Sequence, residues 1–270
     1  ATRIVVIGSS VVFADAPKRP VAQLSDGPGR LSRVVPLVLA EHIQLQTNCF
    51  GSVLMPWAQG QGFVLYGAAF TDADLCRMVA GAEKAPQFIV GVTINATATE
   101  NSEYIIALRL LRASDGALLA EKTMRAAGND PGPAIERLIK DFEKVLVEHT
   151  GLKTVPPPTW YQRPTGGESS EYLLRMEQQL AVICCNLEFL NGGTLTGERE
   201  ILDGVIQLAL RQAQNPTARI LLAQTLREMK KARPAVIAEY ATKIRTLQQQ
   251  YPLPGEVAPG VEAALSEALA

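Results

Sequence analysis

The residues able to do chemistry in this chain are few: two adjacent serines near the amino terminus, a close pair of aspartates, and a thin supply of histidine and cysteine. Ser9 and Ser10 follow the run Arg3-Ile4-Val5-Val6-Ile7-Gly8. A hydroxyl in a loop just past a buried strand stands where open α/β sheets collect ligands, at the carboxyl ends of their strands. It would serve there as a nucleophile or phosphate contact; the plainer reading is a hydroxyl bonded to nearby backbone. Asp72 and Asp74 are spaced for acid and base work, but they fall in the first turn of a predicted helix, where negative charge is favoured anyway. The spacing Thr71-Asp72-Ala73-Asp74 is that of a capping box, with Asp in place of the usual Glu or Gln.

The 2 histidines, His42 and His149, have structural readings. His42 lies on the apolar stripe of a predicted helix. His149 lies in the last turn of another, where an imidazole complements the helix dipole. Neither has an HxH, HExxH or Cys-x-x-Cys companion, so a metal site would need ligands gathered from distant segments. Cys49, Cys76, Cys184 and Cys185 do not have the spacing of a disulfide framework. They read as packing thiols, which favours the cytoplasm while leaving the periplasm open. The phosphate loop GxxxxGK[ST], the dinucleotide fingerprint GxGxxG and the nucleophile elbow GxSxG are all missing from the sequence. Gly60-Gln61-Gly62 reads as a turn, and no cofactor is expected. The remaining interaction candidates are aromatic. Trp57 follows Pro56, and Trp160-Tyr161 sits in a proline-rich stretch, either as a binding anchor or as a pin holding that stretch to a domain face.

Two regions of different character must position these residues. Residues 1–151 alternate between strand and helix patterns. Arg3 to Gly8 is a short buried strand, and residues 11–30, rich in Pro and Gly, form a long loop. Leu31, Val34, Val35, Val38 and His42 recur at helical spacing, with Pro36 placed in or near the first turn. Phe50–Met55 and Gly62–Tyr66 are short strands. Phe88, Val90, Val92 and Ile94 alternate, as do Tyr104, Ile106, Leu108 and Leu110; a polar turn, Thr97 to Ser102, lies between these runs. Asp115-Gly116 then signals a hairpin. A helix over Ile135–Leu146 ends at Gly151. The stretch 152–169 contains Val155-Pro156-Pro157-Pro158 and reads as an extended spacer. Residues 170–270 read as all helix, with Pro216 and Pro234 in first turns. The helices opening near Glu198 and Pro234 start about one tetratricopeptide period, ~34 residues, apart; a plain bundle remains the alternative.

Charge narrows the partners. The chain has 26 basic and 27 acidic residues, split 14 against 15 up to Thr150 and 12 against 12 beyond it. Neither half carries the cationic excess that nucleic acid or anionic lipid demands. The most apolar stretch, Val34 to Ala40, is too short for a membrane helix. The start runs straight into a strand pattern with no signal-peptide layout. Its missing initiator methionine is expected of a processed chain or a fragment.

Residues 1–151 resemble the TolB amino-terminal-like domain, a module found beside tetratricopeptide repeats in some adenylate-cyclase-related and transcription-regulator proteins. The resemblance rests on Phe88-Ile89-Val90-Gly91-Val92, the strand Ile105 to Leu111, and the hairpin Asp115-Gly116-Ala117-Leu118-Leu119-Ala120-Glu121. Leu31 to Leu54 fits the helix-then-strand opening. The Pro/Gly-rich loop at 11–30 and the extra turn at Gln59–Gly62 depart from the pattern. The resemblance implies a sensing or protein-docking module and supplies no catalytic residue. The fold expected is therefore a mixed α/β domain followed by an all-α, repeat-like domain. The function expected is non-catalytic binding of a protein partner or small ligand. The rival is a hydrolase or transferase working through the serine loop. The positions to watch are Ser9, Ser10, Trp57, Trp160 and Tyr161.

Overall fold

The computed structural model describes residues 2–13, 21–22, 27–60, 62–96, 103–187 and 197–270. The chain folds as two compact units, Ala1–Pro157 and Pro158–Ala270.

In the first unit the elements run β1 (Arg3–Val12), β2 (Val21–Ala22), α1 (Gly27–Gln46), β3 (Phe50–Leu54), β4 (Trp57–Ala58), β5 (Gly62–Leu65), α2 (Asp72–Val79), β6 (Phe88–Asn95), β7 (Glu103–Arg112), β8 (Leu118–Ala127) and α3 (Gly132–Thr150). Five strands form a mixed sheet in the order β3-β1-β6-β7-β8. β1 pairs in parallel with β3 and β6, and β6, β7 and β8 continue as an antiparallel meander. The short strands β2, β5 and β4 pair separately. The meander closes at Asp115-Gly116, where Gly116 has φ 70° and the Asp115 carboxylate accepts the Ala117 N–H at 3.1 Å. The polar turn expected over Thr97–Ser102 lies outside the described residues.

Helices pack on both faces of this sheet at its centre, so β1 and most of β6 are buried continuously, while β7 alternates and β8 is largely exposed. Val5, Ile7, Ile89 and Leu111 meet Leu75 and Val79 of α2 on one face. The alternate residues of β1 point the other way, towards α1. There the sheet carries two glycines because α1 lies too close for a side chain. A Cβ on Gly8 would stand 2.6 Å from Pro36 Cγ and closer still to the Ser32 carbonyl oxygen, and one on Gly51 would meet the Ala40 carbonyl oxygen at 2.5 Å.

Two sequence expectations need correcting here. Pro36 is not in the first turn but inside α1, which begins at Gly27. Proline has no N–H to give the Ser32 carbonyl four residues back, and that freed carbonyl is the one pressed on Gly8. β1 does not stop at Gly8 either; it continues to Val12 through a register shift between Ile7 and Ser10. Part of the span read as a loop is thus strand and helix.

In the second unit five helices follow: α4 (Ser169–Asn186), α5 (Glu198–Arg211), α6 (Pro216–Ala232), α7 (Pro234–Gln250) and α8 (Ala258–Leu269). Pro216 and Pro234 both occupy first turns, and the Asn215 side chain accepts from the Thr217 N–H at 2.9 Å as the N-cap of α6. α6 touches all four other helices, lying between α4 and α8, with α5 and α7 packed on it and on each other. Leu202, Val205, Leu222, Leu226 and Ile244 fill the interior. Arg219 is buried there as well. Its guanidinium donates to the Tyr251 carbonyl at 2.6 Å, fixing the end of α7, and lies 3.6 Å from Glu262 of α8.

The close approach of α1 fixes the expected outcome of enlarging Gly8. Gly8→Ala must displace backbone and a proline ring rather than a flexible chain end, and should destabilise the first unit by roughly 1–3 kcal/mol, as overpacking does. Thermal and urea unfolding of the variant will measure this.

Candidate functional site

β1 carries Ser9 and Ser10 inside the strand, not in a loop beyond it. Ser9 adopts φ 69°, the described non-glycine residue with positive φ, and is 1% exposed. This left-handed residue makes a bulge, in which Gly8 and Ser9 together oppose one residue of β6. The bulge changes what the strand can pair with. Before it, Arg3–Ile7 run beside Phe50–Leu54. After it, the Tyr66 N–H donates to the Ser9 carbonyl and the Val11 N–H to the Tyr66 carbonyl, both at 2.8 Å. Ser10 Oγ donates to the Ala68 carbonyl at 2.9 Å and stands 3.3 Å from Thr93 Oγ1. Arg109 reinforces the same segment, donating to the Phe70 carbonyl at 3.2 Å and pairing with Asp72. The serine and the arginine thus hold the chain from Tyr66 to Asp72 over the sheet.

This geometry bears on the serine chemistry. A nucleophilic hydroxyl needs a base within hydrogen-bond reach. The partners of Ser10 are a carbonyl and another hydroxyl, and Ser9 Oγ meets no partner among the described residues. The histidine nearest in kind to a base, His42, is buried with Nε2 at 2.5 Å from Glu143 Oε2, joining α1 to α3. Six residues separate it from Pro36, which places it about 9 Å along the helix from the nearer contact with Gly8. The aspartate pair is structural: Thr71 and Asp74 exchange both capping-box hydrogen bonds. The Thr71 hydroxyl and backbone N–H, both donating to it, and then Arg77 hold the Asp74 carboxyl below the usual aspartate range.

The aromatic candidates separate. Trp57 is 46% exposed on β4, opposite Phe63. Trp160 and Tyr161 pack edge to face with centroids 6.0 Å apart, but Tyr161 is only 5% exposed and is no exposed anchor. Its segment is fastened to the start of α6: Gln162 N–H donates to Thr217 Oγ1 at 2.7 Å, and Asn215 donates to the Gln162 carbonyl at 2.7 Å. The expected spacer is correspondingly shorter than 152–169. Residues 153–155 already bond to Gln46 and Asn48 in the first unit.

Two clefts remain. One, of about 790 Å³, opens beside Cys76, Phe88, Arg112 and Ser114, at the amino-terminal ends of β1 and β6. Its arginines are occupied, Arg77 with Asp74 and Arg112 with Asp115. The four cysteines form no disulfide, and no group of three or more metal-ligating side chains converges among the described residues.

The other cleft, about 530 Å³, lies between α6 and α8. Ala223, Val261 and Ala268 form its floor. Ile220, Gln224, Arg227 and Lys231 stand along the α6 wall, and Gly260, Ala264 and Glu267 along the α8 wall. The walls follow helical spacing, which is the signal by which the sequence could have disclosed them. Behind the rim, Glu228 bonds to Lys231 at 2.8 and 2.9 Å and to Asn186 of α4 at 3.0 Å. Lys231 in particular holds its carboxyl below the ordinary glutamate value of 4.5. Lys230 donates to the Glu267 carbonyl at 3.1 Å, tying α6 to the end of α8.

Two outcomes follow. Ser9→Gly should raise stability by about 1 kcal/mol, since glycine takes the left-handed conformation freely and removes a buried hydroxyl; a lower thermal midpoint would contradict the geometry given for the bulge. The Glu228 contribution should depend on pH. A depressed folded-state pKa stabilises above the unfolded glutamate value and ceases to as pH falls through the folded one. The stability gap between the native chain and Glu228→Gln should therefore close below about pH 4.5, measured by thermal unfolding from neutral to acid.

No protein-family model matches the chain, and no curated protein matches it.

Proposed function

We propose that this chain is a non-catalytic binding module that engages a protein partner through the helical unit. The α6–α8 cleft carries this reading: it is apolar along its floor, open to solvent and rimmed by cations in a chain whose net charge is -1. Its volume falls within the range of about 300–1,000 Å³ usual for ligand sites. The order of packing supports a tetratricopeptide-like array, with α4, α6 and α8 in one layer and α5 and α7 in the other. Stacked helices of that kind offer continuous binding surfaces. In the first unit, β1-α1-β3, the glycine inside β6 and the β7–β8 hairpin support kinship with the TolB amino-terminal-like domain, as a docking or sensing partner to the helices. No helix among the described residues is long and apolar enough to cross a membrane.

Site-specific photocrosslinking in the native extract tests the proposal. A crosslinker at Gln224 should capture a discrete protein, whereas one at Lys243 on α7 should not. Ala264→Trp should suppress that capture with no change in thermal midpoint. Equal capture from both positions, or a turnover abolished by Ser10→Ala without unfolding, would replace this reading with another.

A further inference from the structure

We infer that the α6–α8 groove takes an amphipathic helix bearing acidic flanks, supplied by the partner. The inference rests on the binding reading above and specifies its ligand. The shape argues for a helix. Gly260 and Ala264 are exposed one turn apart on α8, leaving a shallow row at i, i+4 spacing. The side-chain ridge of another helix fits a row of that spacing. Ala223, Val261 and Ala268 lie below it, so that the apolar stripe of an incoming helix would meet carbon rather than polar atoms.

The charges argue for the flanks. Arg227, Lys230 and Lys231 line the groove against a single carboxylate, Glu267. The Arg227 side chain is 67% exposed and that of Lys231 59%. Both pair with Glu228, Arg227 at 3.5 Å and Lys231 at 2.8 Å, which neutralises part of this charge, but Glu228 is only 12% exposed and the two cations are far more so. An approaching ligand therefore meets the cations first. Acidic side chains beside its apolar stripe would gain these contacts, and basic ones would be repelled. The rim is too small and too local for a nucleic acid backbone, which needs many cations along a track.

A displayed library of helical peptides with a fixed Leu/Ile spine and randomised flanks, selected on the whole chain, tests the idea. Selected flanks should be rich in Asp and Glu. Their affinity should fall about tenfold in the double variant Gln224→Glu, Arg227→Glu, with its thermal midpoint measured alongside because Arg227 also pairs with Glu228 at 3.5 Å. It should rise in Glu267→Lys and weaken with salt. Ala264→Trp should abolish binding whatever the flank charge. Neutral or basic flanks, or binders that prefer a proline-interrupted extended form, overturn the inference while leaving the binding reading in place. Binders indifferent to Ala264→Trp, or no binders at all, overturn the inference; if the Gln224 crosslink is also lost, the binding reading falls with it.

Discussion

The first unit depends on how closely α1 can lie on β1. Pro36 deprives the Ser32 carbonyl of its helical partner, and that carbonyl, with the proline ring, is set against Gly8. A helix this near requires glycine at that point in the strand. The next residue, Ser9, turns into the left-handed region and lets the strand resume with its register shifted against β6. One edge of β1 thereby serves two neighbours in succession, β3 before the bulge and Tyr66 after it. The strain at Ser9 persists because the pairing on either side over-determines it.

The second unit is organised around α6. It packs on the four other helices of this unit, and its charged residues sort by position. Arg219, facing inward, spends its charge on the end of α7; burial holds its pKa below the ordinary guanidinium value. Arg227 and Lys231 face out. Between these extremes Lys230 caps the end of α8. The helix therefore fixes its neighbours with one set of cations and leaves another at the groove.

Much of this architecture was legible in the sequence because its signals are local. The meander showed in two alternating runs and Asp115-Gly116; Gly151 marked the end of α3, where it sits at φ 68°. Pro216 and Pro234 marked helix starts. What misled was proline at position 36, which local rules place in a first turn; contact with Gly8, far away in sequence, is what sets that helix against the strand. Ser9 and Ser10 misled likewise, since a bulge is defined by its partner strands and leaves no mark of its own on the sequence. The groove went unread for a different reason: Gln224, Arg227 and Lys231 look like any solvated helix face until α8 is laid alongside.

The direction of the carboxyl shifts follows from what holds each group. The resolved carboxyl shifts here, at Asp74, Asp115, Asp141, Asp203, Glu228 and Glu239, all run downward, each pulled by a hydrogen-bond donor or a neighbouring cation. Asp203 is typical: Lys243 donates to one oxygen at 2.9 Å and Tyr240 to the other at 3.2 Å, joining α5 to α7. Such carboxylates hold helices and turns together, and protonating them costs stability.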